Sequence, residues 1–163
     1  MRVDIVETNV YKFDELTDEG KEKAIAGLYD LNVDHEWWDC TYEDAETVGI
    51  KITGFTLLVN CDGSIIGTAE ETSMLILENH GKDCETFKTA TKYLEDYLKV
   101  EEEFTDLNFY TEIAALDEEF EKSILEDYRI MLDNEHLYLT SDEAITETIK
   151  ANDYEFTAEG VMY

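Results

Sequence analysis

The chain has 163 residues, with 41 Asp and Glu against 12 Lys and Arg, a formal net charge of −29 and a pI near 4.1. Such a charge repels nucleic acid and anionic membrane, so direct binding to either is not expected, while basic surfaces are attracted. With 44% hydrophobic and 12% aromatic residues the chain has material for a core, which sets it apart from a disordered acidic tail.

The length suits a single domain spanning 1–163. Cys40, Cys61 and Cys84 are an odd number without metal-ligand spacing, which predicts a reducing cytoplasm and no disulfide framework. The opening MRVDIVETNV has no apolar run of signal-peptide length, and no stretch approaches a membrane span. Proline is absent, so breaks between elements must rest on Gly, Asn and Asp. A halophilic origin is disfavoured by the retained lysines, the many isoleucines and the excess of Glu over Asp.

In chain order, Val3, Ile5, Val10, Tyr11 and Phe13 alternate imperfectly over 2–13 and predict a strand, starting from about Asn9. Thr17 is a good N-cap for a helix whose apolar face is Ala24, Ile25, Leu28 and Tyr29, with acids at the positive end of its dipole. The run DHEWWDCTYEDAETVG over 34–49 reads as an aromatic helix capped by Asp34. Trp38, Tyr42, Ala45 and Gly49 fall on one side, and Glu36, Asp39, Glu43 and Glu46 form a carboxylate column on another. Trp38 is expected in the core; the place of Trp37 is left open.

After Gly49 the period becomes two. Ile50 and Ile52 are followed by Phe55, Leu57 and Val59 in the opposite phase, which predicts a bulge at Thr53–Gly54. The NCDG run over 60–63 is a turn signal, and Ile65, Ile66, Thr68 and Ala69 read as the returning strand. Glu70 to His80 reads as a helix closed by Gly81. Residues 83–137 read as a long antiparallel helical hairpin. One arm carries Phe87, Thr91, Leu94 and Leu98; the other, with Thr105 as cap, carries Phe109, Ile113, Leu116, Phe120, Ile124 and Met131 flanked by Leu125 and Tyr128. The run TSDE over 140–143 predicts a capping box for a last helix through about Ala151. Tyr154 and Phe156 then suggest a strand, and Glu159–Gly160 a turn. The fold class is therefore α+β: a small, mostly antiparallel sheet packed by four to five helices.

Several runs together carry a resemblance. They are VYKFDELTDEGKEKA over 10–24, HEWWD over 35–39, YEDA over 42–45, GIKITGF over 49–55, LTSDEA over 139–144 and ANDYEF over 151–156. The chain resembles a largely uncharacterised family of small acidic proteins encoded by phages, prophages and plasmids, over most of its length and least in the middle. The resemblance implies a mobile-element setting and an intracellular location. It implies no catalytic residues. Small acidic proteins from that setting are often inhibitors of host defence, including DNA mimics that block restriction or CRISPR nucleases, an analogy of setting and charge.

Catalytic signals are sparse. The column Glu36, Asp39, Glu43 and Glu46 offers oxygen ligands to a hard cation, but a solvated helix face is the simpler reading and no calcium-loop pattern supports it. His35 and Asp39 are spaced as an acid–base pair, with surface pairing the simpler reading. His80, where a helix should end, needs no more than a dipole role, and His136 has no partner in sequence. Cys40 lies among acids, which weaken a thiolate, and no nucleophile elbow or phosphate-binding loop is present. The expectation is a non-enzyme without cofactor or metal.

The densest charge lies at 95–127, where thirteen acids face only Lys99 and Lys122. Carboxylates one helical turn apart are spaced about 5.4 Å, the same order as phosphates along a strand. The sequence thus predicts an inhibitor that binds a basic, DNA-handling host protein by mimicry or charge. Its predicted contacts are Glu36, Asp39, Glu43 and Asp44 on the aromatic helix, with Glu101, Glu102, Glu103, Asp117, Glu118, Glu119 and Glu121 on the hairpin. Two alternatives remain: an interaction module or homodimer using an apolar patch, and a metal-dependent hydrolase.

Overall fold

The computed structural model describes residues 9–103 and 107–163. Val3 and Ile5 of the predicted first strand, and the predicted cap Thr105, lie outside the described residues. The fold is α+β. In order it runs β1 (Tyr11–Lys12), a 3-10 turn at Phe13–Glu15, α1 (Asp18–Gly27), α2 (Asp39–Thr47), β2 (Ile50–Thr56), β3 (Asn60–Ile65), α3 (Ala69–Asn79), α4 (Glu85–Glu103), α5 (Leu107–Leu139), α6 (Asp142–Ala151) and β4 (Glu155–Phe156). The described residues thus hold six helices, against the four to five expected. The strands form two separate antiparallel pairs, β1–β4 and β2–β3, in place of the single sheet expected. The chain divides into two compact units: residues up to Trp37 with Glu135–Tyr163, and Trp38–Asn134.

In the first unit, β1 pairs with β4 so that Tyr11 faces Phe156. Thr17 caps α1 as expected, its Oγ1 accepting the Gly20 N–H at 3.2 Å. Ser141, not Thr140, caps α6 by accepting the Ala144 N–H; the Thr140 hydroxyl instead donates back to the His136 carbonyl at the end of α5. A threonine one residue before the cap still has an α5 carbonyl within reach, and its hydroxyl takes that partner. Phe13, Leu16, Ala24, Ile145, Ile149 and Phe156 form the core. Asn32 ties the unit together: its amide donates to the Leu139 carbonyl at 2.9 Å, and its oxygen accepts from the Thr148 hydroxyl at 2.7 Å. The expected turn at Glu159–Gly160 is present. Gly160 has φ +81°, and a β-carbon there would lie 2.1 Å from the Gly20 carbonyl, so the returning chain seats directly on α1.

In the second unit, β2 and β3 form the hairpin, and the expected bulge is present as a register shift between Ile52 and Gly54. The turn, however, lies at 57–59 and not at NCDG. Gly63 is paired with Ile52 inside the ladder. A β-carbon there would meet the Lys51 carbonyl at 2.6 Å and Leu125 Cδ2 of α5 at 2.9 Å. Glycine at this position permits close approach of strand and helix; it does not make a turn. Leu58 takes the turn instead, at φ 61° and 82% exposed, with its N–H donating to Asp133 Oδ1 at 2.8 Å. A leucine in the left-handed region is uncommon and strained.

The buried face of α4 is Thr86, Ala90 and Tyr93, one position back from the predicted Phe87, Thr91, Leu94 stripe; Leu98 is exposed. Small Thr86 and Ala90 let α4 come close to its neighbours, which outweighs the larger apolar area of the adjacent stripe. On α5, Phe120, Ile124, Tyr128 and Leu132 are buried at a spacing of four, while the predicted Met131 is exposed. Each such burial contributes about 1.5–3 kcal/mol. Side chains of α4 and α5 meet where the Tyr93 and Phe120 rings lie 4.5 Å apart. Helix α3 starts at a reciprocal capping box of Thr68 and Glu71 and ends at His80 in extended backbone, so the expected left-handed Gly81 cap is not used. The aromatic helix begins at Asp39 with Trp38 at its cap, not at Asp34, so Glu36 precedes it. Trp37 is buried and packs its ring on His136 in the first unit; Trp38 is half-buried against Phe55 in the second.

Replacing Gly160 by Ala is expected to cost about 3 kcal/mol or more, because the close contact with backbone and the left-handed strain add. Gly27→Ala, at the end of α1 with nothing within 4 Å, should be neutral or gain up to about 1 kcal/mol. Urea unfolding followed by circular dichroism measures both, and equal effects of the two changes would contradict the packing described.

Candidate functional site

The predicted partner-binding carboxylates separate into two groups in the structure. Asp39, Glu43, Glu101, Glu102, Glu103, Glu118 and Glu119 are exposed, as is Glu36 in the first unit. Asp44, Asp117 and Glu121 are half-buried and engaged within the fold. Asp117 accepts the Tyr93 hydroxyl at 2.7 Å, and Glu121 accepts the Ile65 N–H at 3.0 Å, closing a donor on the edge of the β2–β3 pair.

Lysines are interleaved among the exposed acids of α4 and α5. Lys99 bonds Asp96 at 2.7 Å, Lys122 bonds Glu118 at 2.6 Å, and Lys92 lies 3.7 Å from Glu119. Lys122 holds the exposed Glu118 carboxyl below its ordinary range. An unbroken phosphate-like row along these helices is therefore not what the side chains form. The exception is Glu101, Glu102 and Glu103: all three are exposed in the last turn of α4, which carries no base. That end is the negative pole of the helix, where each acid costs about 0.3–1 kcal/mol.

A second feature lies inside the second unit, and the sequence reading did not anticipate it. Tyr128 of α5 donates its hydroxyl to Asp44 Oδ2 of α2 at 2.9 Å. Asp44 Oδ2 lies 3.5 Å from His80 Nε2 at the end of α3, and His80 Nδ1 lies 2.8 Å from Thr86 Oγ1 at the start of α4. One polar chain thus joins four helices. Its members are spread over 84 positions of sequence, so no local motif announces it. Burial, then the Asp44 charge, pushes the Tyr128 phenol well above its ordinary range, which keeps it a donor. The His80 side chain is 8% exposed, and among the described residues its Nε2 is the buried side-chain atom left without a hydrogen bond. Such an orphan costs about 1–3 kcal/mol.

The Thr86–His80–Asp44 order has the connectivity of a nucleophile triad. Thr86 is 2% exposed, however, so its hydroxyl is out of reach of a substrate carbonyl. The thiols offer no substitute partner for the ring, whose two nitrogens face Thr86 and Asp44. Burial, then Asp62, pushes the Cys61 thiol up to about 11, which leaves little thiolate at neutral pH. The predicted His35–Asp39 pairing loses its helical basis, since His35 lies ahead of α2. Among the described residues no group of three or more His, Cys, Asp or Glu is arranged to hold a metal ion, and no helix is long and apolar enough to cross a membrane. Comparison with protein-family models, curated proteins and solved structures finds no match to this chain.

Beside this network, Asp127 of α5 accepts the Thr89 hydroxyl at 2.7 Å. Burial raises its carboxyl above the ordinary range, the Thr89 bond opposes the rise, and Glu85 adds to it. The folded state therefore holds this proton more tightly than the unfolded state. The group favours folding below about pH 3.8, and that contribution is lost as pH rises through the folded value.

Asp127→Asn should accordingly raise the urea midpoint relative to wild type at pH 7, with the difference shrinking toward pH 3.5; the reverse order would refute a desolvated carboxylate. Tyr128→Phe should cost about 1.5–2 kcal/mol, the lower part of the range for a bond to a charged acceptor because Asp44 keeps 43% of its side-chain exposure. A double-mutant cycle with Asp44→Asn measures their coupling, and a value near zero would show that the two side chains do not act together.

Proposed function

We propose that the chain is a non-catalytic acidic binding protein that captures a basic, DNA-handling protein by charge. In the phage, prophage and plasmid setting that its motifs resemble, it would serve as an inhibitor of a host defence enzyme of the restriction or CRISPR type. The observation that supports this most directly is the Glu101–Glu103 run at the negative pole of α4. Folding gains nothing from three exposed acids at that end and loses stability to them, so the charge has its use outside the fold. The interleaved Lys92, Lys99 and Lys122 favour charge-driven capture over a regular copy of the phosphate backbone. Glu36, Asp39 and Glu43 are further exposed contributors. Asp44, Asp117 and Glu121 are half-buried, and one oxygen of each already accepts a hydrogen bond within the fold, so they contribute less.

A second reading is supported by the hairpin tip. Leu58 and Val59 are 82% and 70% exposed, and Leu58 holds a strained backbone conformation there. An apolar tip kept at that cost suits an interaction module, including a homodimer, whose contact is not screened by salt.

The two readings separate in one experiment. A variant carrying Glu101→Lys, Glu102→Lys, Glu103→Lys and Glu119→Lys should lose capture of the host protein at about 50 mM NaCl by tenfold or more, and wild-type capture should fade as salt approaches about 0.5 M. The three changes at the end of α4 should not lower the melting temperature, since bases suit a helix C-terminus, and Glu119→Lys gives up only an exposed pair with Lys92 worth about 0–1 kcal/mol, so a folded variant separates lost binding from unfolding. Capture that survives both charge reversal and high salt, and is abolished by Leu58→Ser with Val59→Ser, would replace charge with the apolar tip.

A further inference from the structure

Helix α2 of the second unit grades from buried to exposed across three adjacent columns. Thr41, Ala45 and Val48 are buried. Trp38 and Tyr42, four positions apart, are half-buried, and Asp39 and Glu43 beside them are exposed. Trp38 is the N-cap but has helical backbone angles, and its carbonyl accepts the Tyr42 N–H at 3.1 Å, so the two aromatic side chains share one side of the first turn. Phe55 of β2 stands against both: its ring lies 5.7 Å from Trp38 at 68° and 6.3 Å from Tyr42 at 72°. An edge-to-face contact engages the edge of one ring and one face of the other, and all three residues are only half-buried. The patch is therefore walled by rings at steep angles to Phe55, with a carboxylate column along one border. Those carboxylates differ from the acids of α4 and α5. Helix α2 contains no Lys or Arg, and among the described residues no base pairs with Asp39 or Glu43, whereas Glu118 and Glu119 each have a lysine beside them.

We propose that the face formed by Trp38, Tyr42 and Phe55, bordered by Asp39 and Glu43, is the docking point for an arginine side chain of the basic protein that the acidic surface captures. This contact rests on the charge-driven reading of function and gives that reading an anchor. Charge selects the occupant. A second copy, at a net −29, brings like charge against Asp39 and Glu43, and an anionic membrane does the same. A neutral apolar partner leaves both carboxylates facing an uncharged surface. A guanidinium meets both halves of the patch at once. Its plane stacks on an indole or phenol ring, and its N–H groups, which point outward in that plane, donate to carboxylates at the rim. An ammonium has no plane to stack and is more strongly hydrated, so lysine suits the patch less well. Trp, Tyr and Arg are also the residues in which binding energy concentrates at protein interfaces, inside a ring of weaker contacts that keeps water out. Attraction from the other exposed carboxylates, Glu101–Glu103 among them, raises the encounter rate; the aromatic face fixes where one arginine comes to rest.

The test is NMR of the two indole N–H groups while the full chain is titrated, at about 0.15 M NaCl, with capped Gly-Arg-Gly, Gly-citrulline-Gly and Gly-Lys-Gly. Citrulline keeps the shape of arginine and loses the charge; lysine keeps the charge and loses the plane. Trp37 is 9% exposed, and its indole is the internal control. The expected result is a saturable shift at Trp38 with the arginine peptide, at a Kd of about 1 mM, and no shift at Trp37. Binding should be about tenfold weaker for the citrulline peptide and about threefold weaker for the lysine peptide. Trp38→Leu keeps apolar packing on Phe55; it should abolish the arginine-induced shifts at the Tyr42 ring while the circular dichroism spectrum stays unchanged. Asp39→Asn with Glu43→Gln leaves the rings in place; it should weaken the arginine peptide about fivefold and leave citrulline binding as it was. Equal binding of arginine and citrulline, or of arginine and lysine, would overturn the proposal. So would shifts that do not saturate, or that are as large at exposed acids such as Glu118 and Glu143. Loss of arginine selectivity with capture of the basic protein intact removes this site and leaves the charge-driven reading standing. Capture that fails while the arginine peptide still binds at Trp38 removes that reading and leaves the site.

Discussion

The second unit depends on one polar chain, Tyr128–Asp44–His80–Thr86, threaded through an otherwise apolar interior. Hydrophobic burial is non-directional and would tolerate helices rotated or slid by a turn. A phenol that must reach one carboxylate oxygen, and an imidazole placed between that oxygen and a buried threonine, are far less tolerant. The apolar cluster around Val48, Ile50, Ile76, Ala90, Phe120 and Ile124 supplies the bulk of the driving force. The polar chain selects one arrangement of α2, α3, α4 and α5 out of the several that the cluster would permit. This accounts for the rotation of α4: placing Thr86 where His80 can reach it turns Ala90 and Tyr93 inward and leaves Phe87 and Leu94 only half-buried.

The acids of this chain consequently do two kinds of work. Asp44, Asp117, Glu121 and Asp133 accept hydrogen bonds from a tyrosine or a backbone amide, and fix one element against another. Such bonds to ionised acceptors are among the stronger ones, at about 1.5–3 kcal/mol. The exposed acids contribute little to folding, even where a lysine stands beside them, because surface ion pairs are worth about 0–1 kcal/mol. Net charge by itself does not distinguish the two kinds. Exposure and hydrogen-bond partners do, and they leave Glu101–Glu103 as the part of the charge with the least structural justification.

What was legible in the sequence was local. The Thr17 cap, the bulge at Gly54, the last helix through Ala151 and the turn at Gly160 each rest on chemistry within a few residues, and each is present. What was not legible rests on distant partners. The NCDG run has the composition of a turn, yet Gly63 is needed because Leu125, some sixty positions later, presses on it. Thr140 and Ser141 are equivalent as caps until the α5 carbonyl of His136 claims one of them. The helical pattern placed Trp38 in the core and left Trp37 open, yet Trp37 is the more buried, because helix α2 starts only at Asp39 and Trp37 packs on His136 while Trp38 packs on Phe55. His80 looked like a helix-end residue because it is one; its role as a link came from Asp44 and Thr86. One signal was available and went unread: a histidine followed six residues later by a threonine at the start of a helix, in a chain with only three histidines.

An imperfectly bonded nitrogen, His80 Nε2, is kept in a central place of this unit. Replacing His80 by an apolar residue of similar size would remove the orphan and its cost, and cores in general tolerate such exchanges. The network would then end at Asp44, which Tyr128 alone could still hold. The register of α2 on α5 would survive, while the tie to α4 would be lost. The imidazole is thus what ties α2 to the start of α4, and the 3.5 Å separation of its Nε2 from Asp44 Oδ2 is the longest link of that tie. Structural polar networks are complete when folded, because every unmet group is a penalty. A network with one long link still selects a single helix arrangement, because other arrangements would leave Tyr128, Asp44 and His80 all without partners.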